Sequence, residues 1–327
     1  MTFYFIDWFW RAIVTQCQRA VTLFWRLLDS PSQTTVAQSA PSPHICPRVL
    51  TYRRRQGPWR RHLLPTLPEH AFVIPDTVPH GDIYFYNKGE YVGTGATSFV
   101  DRLESGDIIK YPKPNPYCPE KENAYRQQME TEAKAYQRIG NNARVPRLIH
   151  WDASACSLVL EYLANGDLRS YLERYNQTVT SDQRQLWMRH AAEALAAVHS
   201  ADIIHCDVTP RNFMLNEALE LHIADFAGSS VAGSRPANTT SARFQRPGWS
   251  WDPTYADDLF ALGSVFYFIQ TGHEPYHDIT EKEVHDRFKS AAFPEVSMLQ
   301  YGNIIHWCWT GHWDNAQQIV NALAIAK

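Results

Sequence analysis

His205, Asp207, Asn212 and Asp225 stand close together in the stretch from Ile203 to Ser229, IIHCDVTPRNFMLNEALELHIADFAGS. Two carboxylates and an amide are hard oxygen donors, the kind of set that holds Mg²⁺ together with phosphate oxygens. Short apolar runs precede His205 and Asp225 and predict strands, which would carry the donors on loops between rigid elements. Donors of this type in this arrangement point to phosphoryl transfer.

The pattern H-x-D-x-x-x-x-N from His205 to Asn212, followed by D-F-x-G from Asp225 to Gly228, resembles the catalytic and metal-binding loops of the eukaryotic protein kinase superfamily. That resemblance implies an α+β, two-lobed fold, with a small antiparallel-sheet lobe carrying one main helix and a larger, mostly helical lobe. It also implies ATP and Mg²⁺ as cofactors and a protein substrate. By the same resemblance Asp207 would take the proton of the substrate hydroxyl, Asn212 and Asp225 would hold Mg²⁺, and Phe226 would pack beneath the small-lobe helix.

Other stretches extend the likeness in the expected order. Gly93, Gly95, Ser98 and Val100 resemble the kinase G-x-G-x-x-G-x-V loop with serine at the third glycine. Glycine lets backbone amides approach phosphate oxygens with no Cβ in the way, although a plain hairpin turn explains the same residues. Lys110 ends the next apolar strand, where kinases carry their phosphate-gripping lysine. The segment 119–140 is made of good helix formers closed by glycine. Glu132 lies on its inward face as the partner expected for Lys110, with Glu130 as the fallback. In the stretch PRLIHWDASACSLVLEYLANGDLRSYL, which resembles the kinase hinge, Glu161 and Leu163 would present backbone groups to adenine and Asp167 would reach the ribose. Asp258 matches the aspartate that opens a buried helix behind the catalytic loop, where a carboxylate can accept backbone N–H bonds.

Several positions depart from the family. The arginine before the catalytic aspartate is replaced by Cys206, which makes loop phosphorylation a weaker switch. Thr209 replaces the lysine two positions after Asp207, and Arg211 would supply the positive charge at the γ-phosphate instead, an arrangement of the tyrosine-specific branch that leaves Ser/Thr against Tyr open. Ala227 replaces the glycine of D-F-G, and Gly248 stands where a glutamate ends the activation segment. These changes keep a second reading in view, a pseudokinase that binds nucleotide or a partner without transfer. A small-molecule kinase ranks last, because that group usually lacks the F-x-G and the L-x-x-G-D-L hinge.

At 327 residues the chain is long enough for two lobes, and a net charge of −3 argues against a nucleic-acid binder that works through its whole surface. Cys17, Cys46, Cys118, Cys156, Cys206 and Cys308 form no C-x-x-C pair, so a zinc site or disulfide framework is not indicated and a reducing, cytoplasmic setting is expected. Residues 1–29 predict an amphipathic helix. Within 3–28, Asp7, Arg11, Thr15, Gln18, Thr22 and Arg26 share one face, and an apolar face with tryptophans lies opposite. That helix suits docking on protein or lying in a membrane interface, and it lacks the uncharged run of a transmembrane span. Residues 30–79 read as a flexible Pro/Ser-rich and Arg-rich linker. Its basic stretch from Arg48 to Arg61 reads first as a solvated tail, and it also suits an acidic partner or anionic lipid as a second signal for peripheral membrane contact. Residues 80–163 then form the small lobe and hinge, and 164–327 the large lobe.

Overall fold

Short runs of aromatic and β-branched residues broken by glycine or asparagine turns favour strands, and the first part of the folded chain is built from them. The computed structural model describes residues 50–55, 61 and 65–325, all within the unit spanning 45–327. The amphipathic helix expected at 3–28 and the Ser/Pro-rich stretch up to residue 47 lie outside the described residues.

The fold starts earlier than the sequence suggests. Strand β1 (Thr51–Arg55) pairs in parallel with β2 (Asp82–Tyr86), in register from Thr51 opposite Asp82 to Arg55 opposite Tyr86. A 3₁₀ turn at Glu69–Phe72 buries Phe72, so the stretch expected to be linker as far as residue 79 contains ordered elements. Its arginines hid the strand because their acidic partners come from elsewhere. Arg53 lies 3.6 Å from Asp82, Arg54 pairs with Asp101, and Arg61 lies 2.9 Å from Glu69.

Strands β3 (Glu90–Thr94), β4 (Ser98–Arg102), β5 (Ile108–Pro112), β6 (Leu148–Asp152) and β7 (Ser157–Leu160) form one antiparallel sheet in the order β3-β4-β5-β7-β6. Helix α1 (Pro119–Ile139) begins with proline, whose fixed φ suits a first turn, and stops at Gly140 with φ 69°. It turns Met129, Glu132, Ala133, Ala135 and Tyr136 inward toward the sheet.

Beyond the hinge come α2 (Leu168–Tyr175), α3 (Ser181–Ser200) and two small antiparallel ribbons. The ribbons pair β8 (Ile203–Ile204) with β11 (Ser230–Val231), and β9 (Phe213–Leu215) with β10 (Leu221–Ile223). Helix α4 (Tyr255–Thr271) is apolar around its whole circumference and is therefore buried at the centre of the lobe. It packs on α6 (Gly302–Trp309), while α5 (Glu281–Lys289) and α7 (Ala316–Ile325) complete the lobe. Gly263 permits the close approach of α4 to α6, since a Cβ there would sit 2.6 Å from Cys308 Cβ.

The architecture is the expected α+β arrangement of a small sheet lobe and a helical lobe. One apolar core runs from α1 through the large lobe, and a separate cluster of Phe85, Phe99 and Tyr111 lies on the outer face of the sheet.

Candidate active site

Strand alternation decides which residues of β4 and β5 face the interior of the molecule. Val100 and Lys110 are cross-strand partners on the cleft side, and Phe99 and Tyr111 are partners on the far side. Lys110 Nζ lies 2.7 Å from Glu132 Oε2 of α1 and 2.7 Å from Asp225 Oδ1 on the loop after β10. One ammonium thus ties the sheet, the helix and the loop together across the cleft. Glu132, buried at 1 % exposure, is the partner, and the fallback Glu130 is an exposed residue of α1.

The charges in this triad shape one another. Burial alone would lower the Lys110 pKa, but the Asp225 and Glu132 carboxylates override it and hold the ammonium above its ordinary value. Burial pushes Glu132 up to about 7 against the pull of Lys110. The Lys110 charge holds Asp225 below the usual carboxylate range. Asp207 shifts the opposite way, raised by burial. Two carboxylates pushed apart suit different tasks, one staying anionic and the other accepting a proton more readily.

The catalytic loop is held from below by Asp258, the second acidic residue in the first turn of α4. Its carboxylate accepts the N–H of His205 at 2.7 Å and of Cys206 at 2.9 Å, and His199 Nε2 lies 3.0 Å away. His205 Nδ1 accepts the Asp207 N–H, so Nε2 carries the proton and donates to Ala224 O at 3.1 Å. The histidine therefore links the loop bearing Asp207 to the loop bearing Asp225. Asn212 Nδ2 donates to Asp207 O at 2.8 Å and Oδ2 at 2.9 Å, which leaves its amide oxygen as an acceptor.

Phe226 is fully buried, with Tyr136 of α1 edge-on at 5.0 Å and His205 at 5.1 Å between ring centres. The left-handed residue of this turn is Asp225, φ 67°, and Ala227 is not among the residues of positive φ. Alanine in the third position of the motif therefore carries no backbone penalty. Cys206 also has φ 64°, and burial pushes its thiol up to about 12, so it is an inert packing residue.

A cavity of about 400 Å³ between the lobes is lined by Gly93, Gly95, Ser98, Val100, Lys110, Glu132, Glu161, Leu163, Asp167, Arg211, Asn212 and Asp225. All the residues singled out for nucleotide, phosphate or metal meet there. Asp207 lines a neighbouring cavity of about 310 Å³, and Arg211 and Asn212 line both. At the hinge the Glu161 N–H donates to Arg147 O at 3.0 Å, while the Glu161 carbonyl and the Leu163 N–H have no backbone partner among the described residues. Asp167 does more than the sequence suggests. It is the N-cap of α2, accepting Ser170 N at 2.9 Å and Ser170 Oγ at 2.7 Å, so both its oxygens already have donors.

Sequence reasoning missed three parts of this region. Met214 forms a wall of the cleft from β9, and Thr240 lines the cavity beside Asp207. Neither position has a distinctive type or spacing. The third part lies at the end of the activation segment, where Gly248 stands in place of a glutamate. There Arg246 approaches Asp257 of α4 at 3.7 Å, and Arg243 approaches Glu274 at 3.9 Å and Glu281 at 3.5 Å. The segment is tied down by other ion pairs.

A sheet lobe and a helical lobe that close on a lysine, three acidic side chains and an asparagine define a phosphate-handling domain of the kinase class. The protein kinase domain family matches residues 86–321, and the chain belongs to it. It is similar to Aurora kinase A-A of Xenopus laevis, 32 % identical over 171 residues that cover 50 % of this chain and 41 % of the relative. It is also similar to Aurora kinase B of Danio rerio, 30 % identical over 176 residues that cover 51 % and 53 %. Aurora/IPL1-related protein kinase 2 of Caenorhabditis elegans is 27 % identical over 159 residues, covering 46 % and 51 %. The chain spans about half the length of these relatives or less. Strand β1 precedes the family match.

Proposed function

We propose that this chain is an ATP- and Mg-dependent protein kinase that transfers the γ-phosphoryl group to a protein hydroxyl. The single observation that carries the reading is Lys110 Nζ held at 2.7 Å from both Glu132 and Asp225 at the edge of the cleft, with Asn212 beside them. The donor set fits the metal. Asp225 keeps a half-exposed carboxylate with one oxygen outside its pair with Lys110, and Asn212 keeps its amide oxygen. Mg²⁺ bound there supplies neutralising charge for the triphosphate.

The residues divide the remaining work. Lys110, held by Glu132, attracts the α- and β-phosphate oxygens, and the backbone amides around Gly93 and Gly95 cover them. Glu161 O and Leu163 N offer adenine an acceptor and a donor, and Asp167 stands at the ribose end while capping α2. Asp207 orients the acceptor hydroxyl and takes its proton. Arg211, which makes no ion pair among the described residues, offsets charge on the transferred group.

No described helix is long and apolar enough to cross a membrane. Peripheral contact would fall to residues 3–28 together with the basic stretch, of which Arg53, Arg54 and Arg61 already have acidic partners. Fractionation of the full chain beside a form lacking residues 1–62 tests this, and a soluble full chain would remove the membrane role.

The test of activity uses the purified full chain, γ-labelled ATP, Mg²⁺ and mixed Ser/Thr and Tyr acceptor peptides. The expected result is label transfer that falls about a thousandfold or more in Asp207→Asn, the scale of a lost general base together with its positioning. Nucleotide binding without any transfer would make the chain a binding module instead.

A further inference from the structure

A carboxylate with no water around it needs either a cation or several hydrogen-bond donors, and leaving one unpaired is costly. Asp101 of β4 is fully buried on the sheet face that turns away from the cleft. It accepts the Lys88 N–H at 3.0 Å and the Tyr111 hydroxyl at 2.7 Å. Its ion-pair partner among the described residues is Arg54 Nη2, which arrives from β1, 47 residues earlier in the chain, and the Lys88 ammonium also acts on it electrostatically.

Arg54 is itself held in place. Its Nε donates to Asn87 Oδ1 at 3.0 Å, and its guanidinium lies 4.2 Å from the ring centre of Tyr91, 5.5 Å from Phe85 and 5.6 Å from Phe99. The groups gathered around it bear directly on the nucleotide side. Tyr91 is on β3, Val100 is the neighbour of Asp101, and Tyr111 is the neighbour of Lys110. Gly89 in the intervening turn is pressed onto β4, where a Cβ would meet Arg102 O at 2.1 Å. The strands that carry the glycine-rich loop and Lys110 thus share one buried carboxylate, whose counter-ion comes from outside the matched kinase domain.

We infer that Arg54 is a positioning residue for the nucleotide site: through Asp101 it fixes β3, β4 and β5 so that the glycine-rich loop and Lys110 stand at the spacing the triphosphate needs. This deepens the reading of the cleft as a nucleotide site and rests on it for its effect on affinity, but the ordering of the loop is measurable without nucleotide. It also gives one arginine of the basic stretch a task inside the fold.

The test is a charge cycle in the full chain: wild type, Arg54→Met, Asp101→Asn, and the two together, with Arg54→Lys as a variant that keeps the charge. Affinity for Mg-ATP, KM for ATP against KM for acceptor peptide, and amide exchange across residues 91–100 without nucleotide are measured for each. Arg54→Met is expected to speed that exchange and weaken Mg-ATP about tenfold, the usual size of coupling between touching groups, with KM for the peptide unchanged. The double variant, in which asparagine still accepts from Lys88 and Tyr111 and no charge is left unpaired, is expected to return both readouts most of the way to wild type. If Arg54→Met is too unstable to purify, Arg54→Lys and the double variant carry the test, with Arg54→Lys falling between wild type and Asp101→Asn in exchange. Unchanged loop exchange and affinity in a variant that merely melts lower would overturn the inference, as would a double variant no better than its singles. A wild type that does not bind Mg-ATP, while loop exchange still follows the cycle, would refute the nucleotide reading and leave the positioning role standing.

Discussion

Two buried aspartates hold the two working edges of the cleft, and they do it differently. Asp258 supports the catalytic loop with two backbone N–H donors and one imidazole, all from the large lobe and set in its apolar core. Asp101 supports the strands of the glycine-rich loop with a backbone N–H, a phenol and a guanidinium from a strand that precedes the matched domain. Backbone N–H groups and a ring nitrogen pre-aligned by a helix and a tight loop suffice where the surrounding core is large. Among the described residues the buried cluster on the outer face of the small sheet is Phe85, Phe99 and Tyr111, with Tyr52 and Ile109 packed against it, and a full counter-ion is recruited there. The bonds that hold the catalytic loop thus come from within the large lobe, while the buried carboxylate beneath the glycine-rich strands takes its counter-ion from Arg54 of β1.

The hardest blow to this contrast falls on Asp258. Asp258→Ala leaves three buried donors without an acceptor, at about 1–3 kcal/mol each, so a loss on the order of 4 kcal/mol is expected in denaturant melts together with loss of transfer. A variant of near wild-type stability would show that the loop is held some other way. Phe226→Ala removes a ring packed between Tyr136 and His205, and a loss of about 3–5 kcal/mol is expected in the same melts.

Acid separates the two regions more gently. His190 is buried in α3 and accepts the Leu221 N–H at 3.2 Å, and burial, helped by the Arg144 charge, lowers its pKa to about 4. The unfolded chain then binds more protons between the ordinary histidine value and about 4. The His190 contribution to stability should be intact above pH 6.5 and fall by about 3 kcal/mol as the pH drops toward 4, while Glu132, raised to about 7, works in the opposite direction over much of the same window. Melting wild type and His190→Asn across that window checks the sign, since the stability of wild type relative to the variant should fall as the pH drops. The smallest effect is expected at Asp167. Asp167→Ala removes a helix cap worth about 1 kcal/mol, which thermal melts can read, and a larger change in nucleotide affinity than in stability would assign its carboxylate to the ribose first.

The legible parts of the site are those in which residue type and spacing are both constrained. The meeting of His205, Asp207, Asn212 and Asp225 could be read because their pattern and intervals resemble those of the kinase loops, and the structure brings them together. Lys110 and Glu132 could be read because the kinase resemblance expects a lysine on that strand and a glutamate on the inward face of the helix after it, and the two meet. The Arg54–Asp101 pair could not, because an arginine in a basic run and an aspartate in a strand are ordinary residues whose meeting depends on tertiary packing. The same basic run made β1 look like linker, since no acidic residue within it hinted at partners such as Asp82 and Asp101. Asp167 was legible as a cleft residue but not as a cap, which needs Ser170 three positions on to be in place.

The most direct test of the central claim, that Lys110, Glu132, Asn212 and Asp225 converge on a metal-bound triphosphate, is calorimetric titration of ATP into the full chain with and without Mg²⁺. Wild type should bind more tightly with the metal, Lys110→Ala should lose affinity in both conditions, and Asp225→Asn should lose the metal dependence. Equal affinity in wild type and Lys110→Ala, or binding indifferent to Mg²⁺ throughout, would contradict the account.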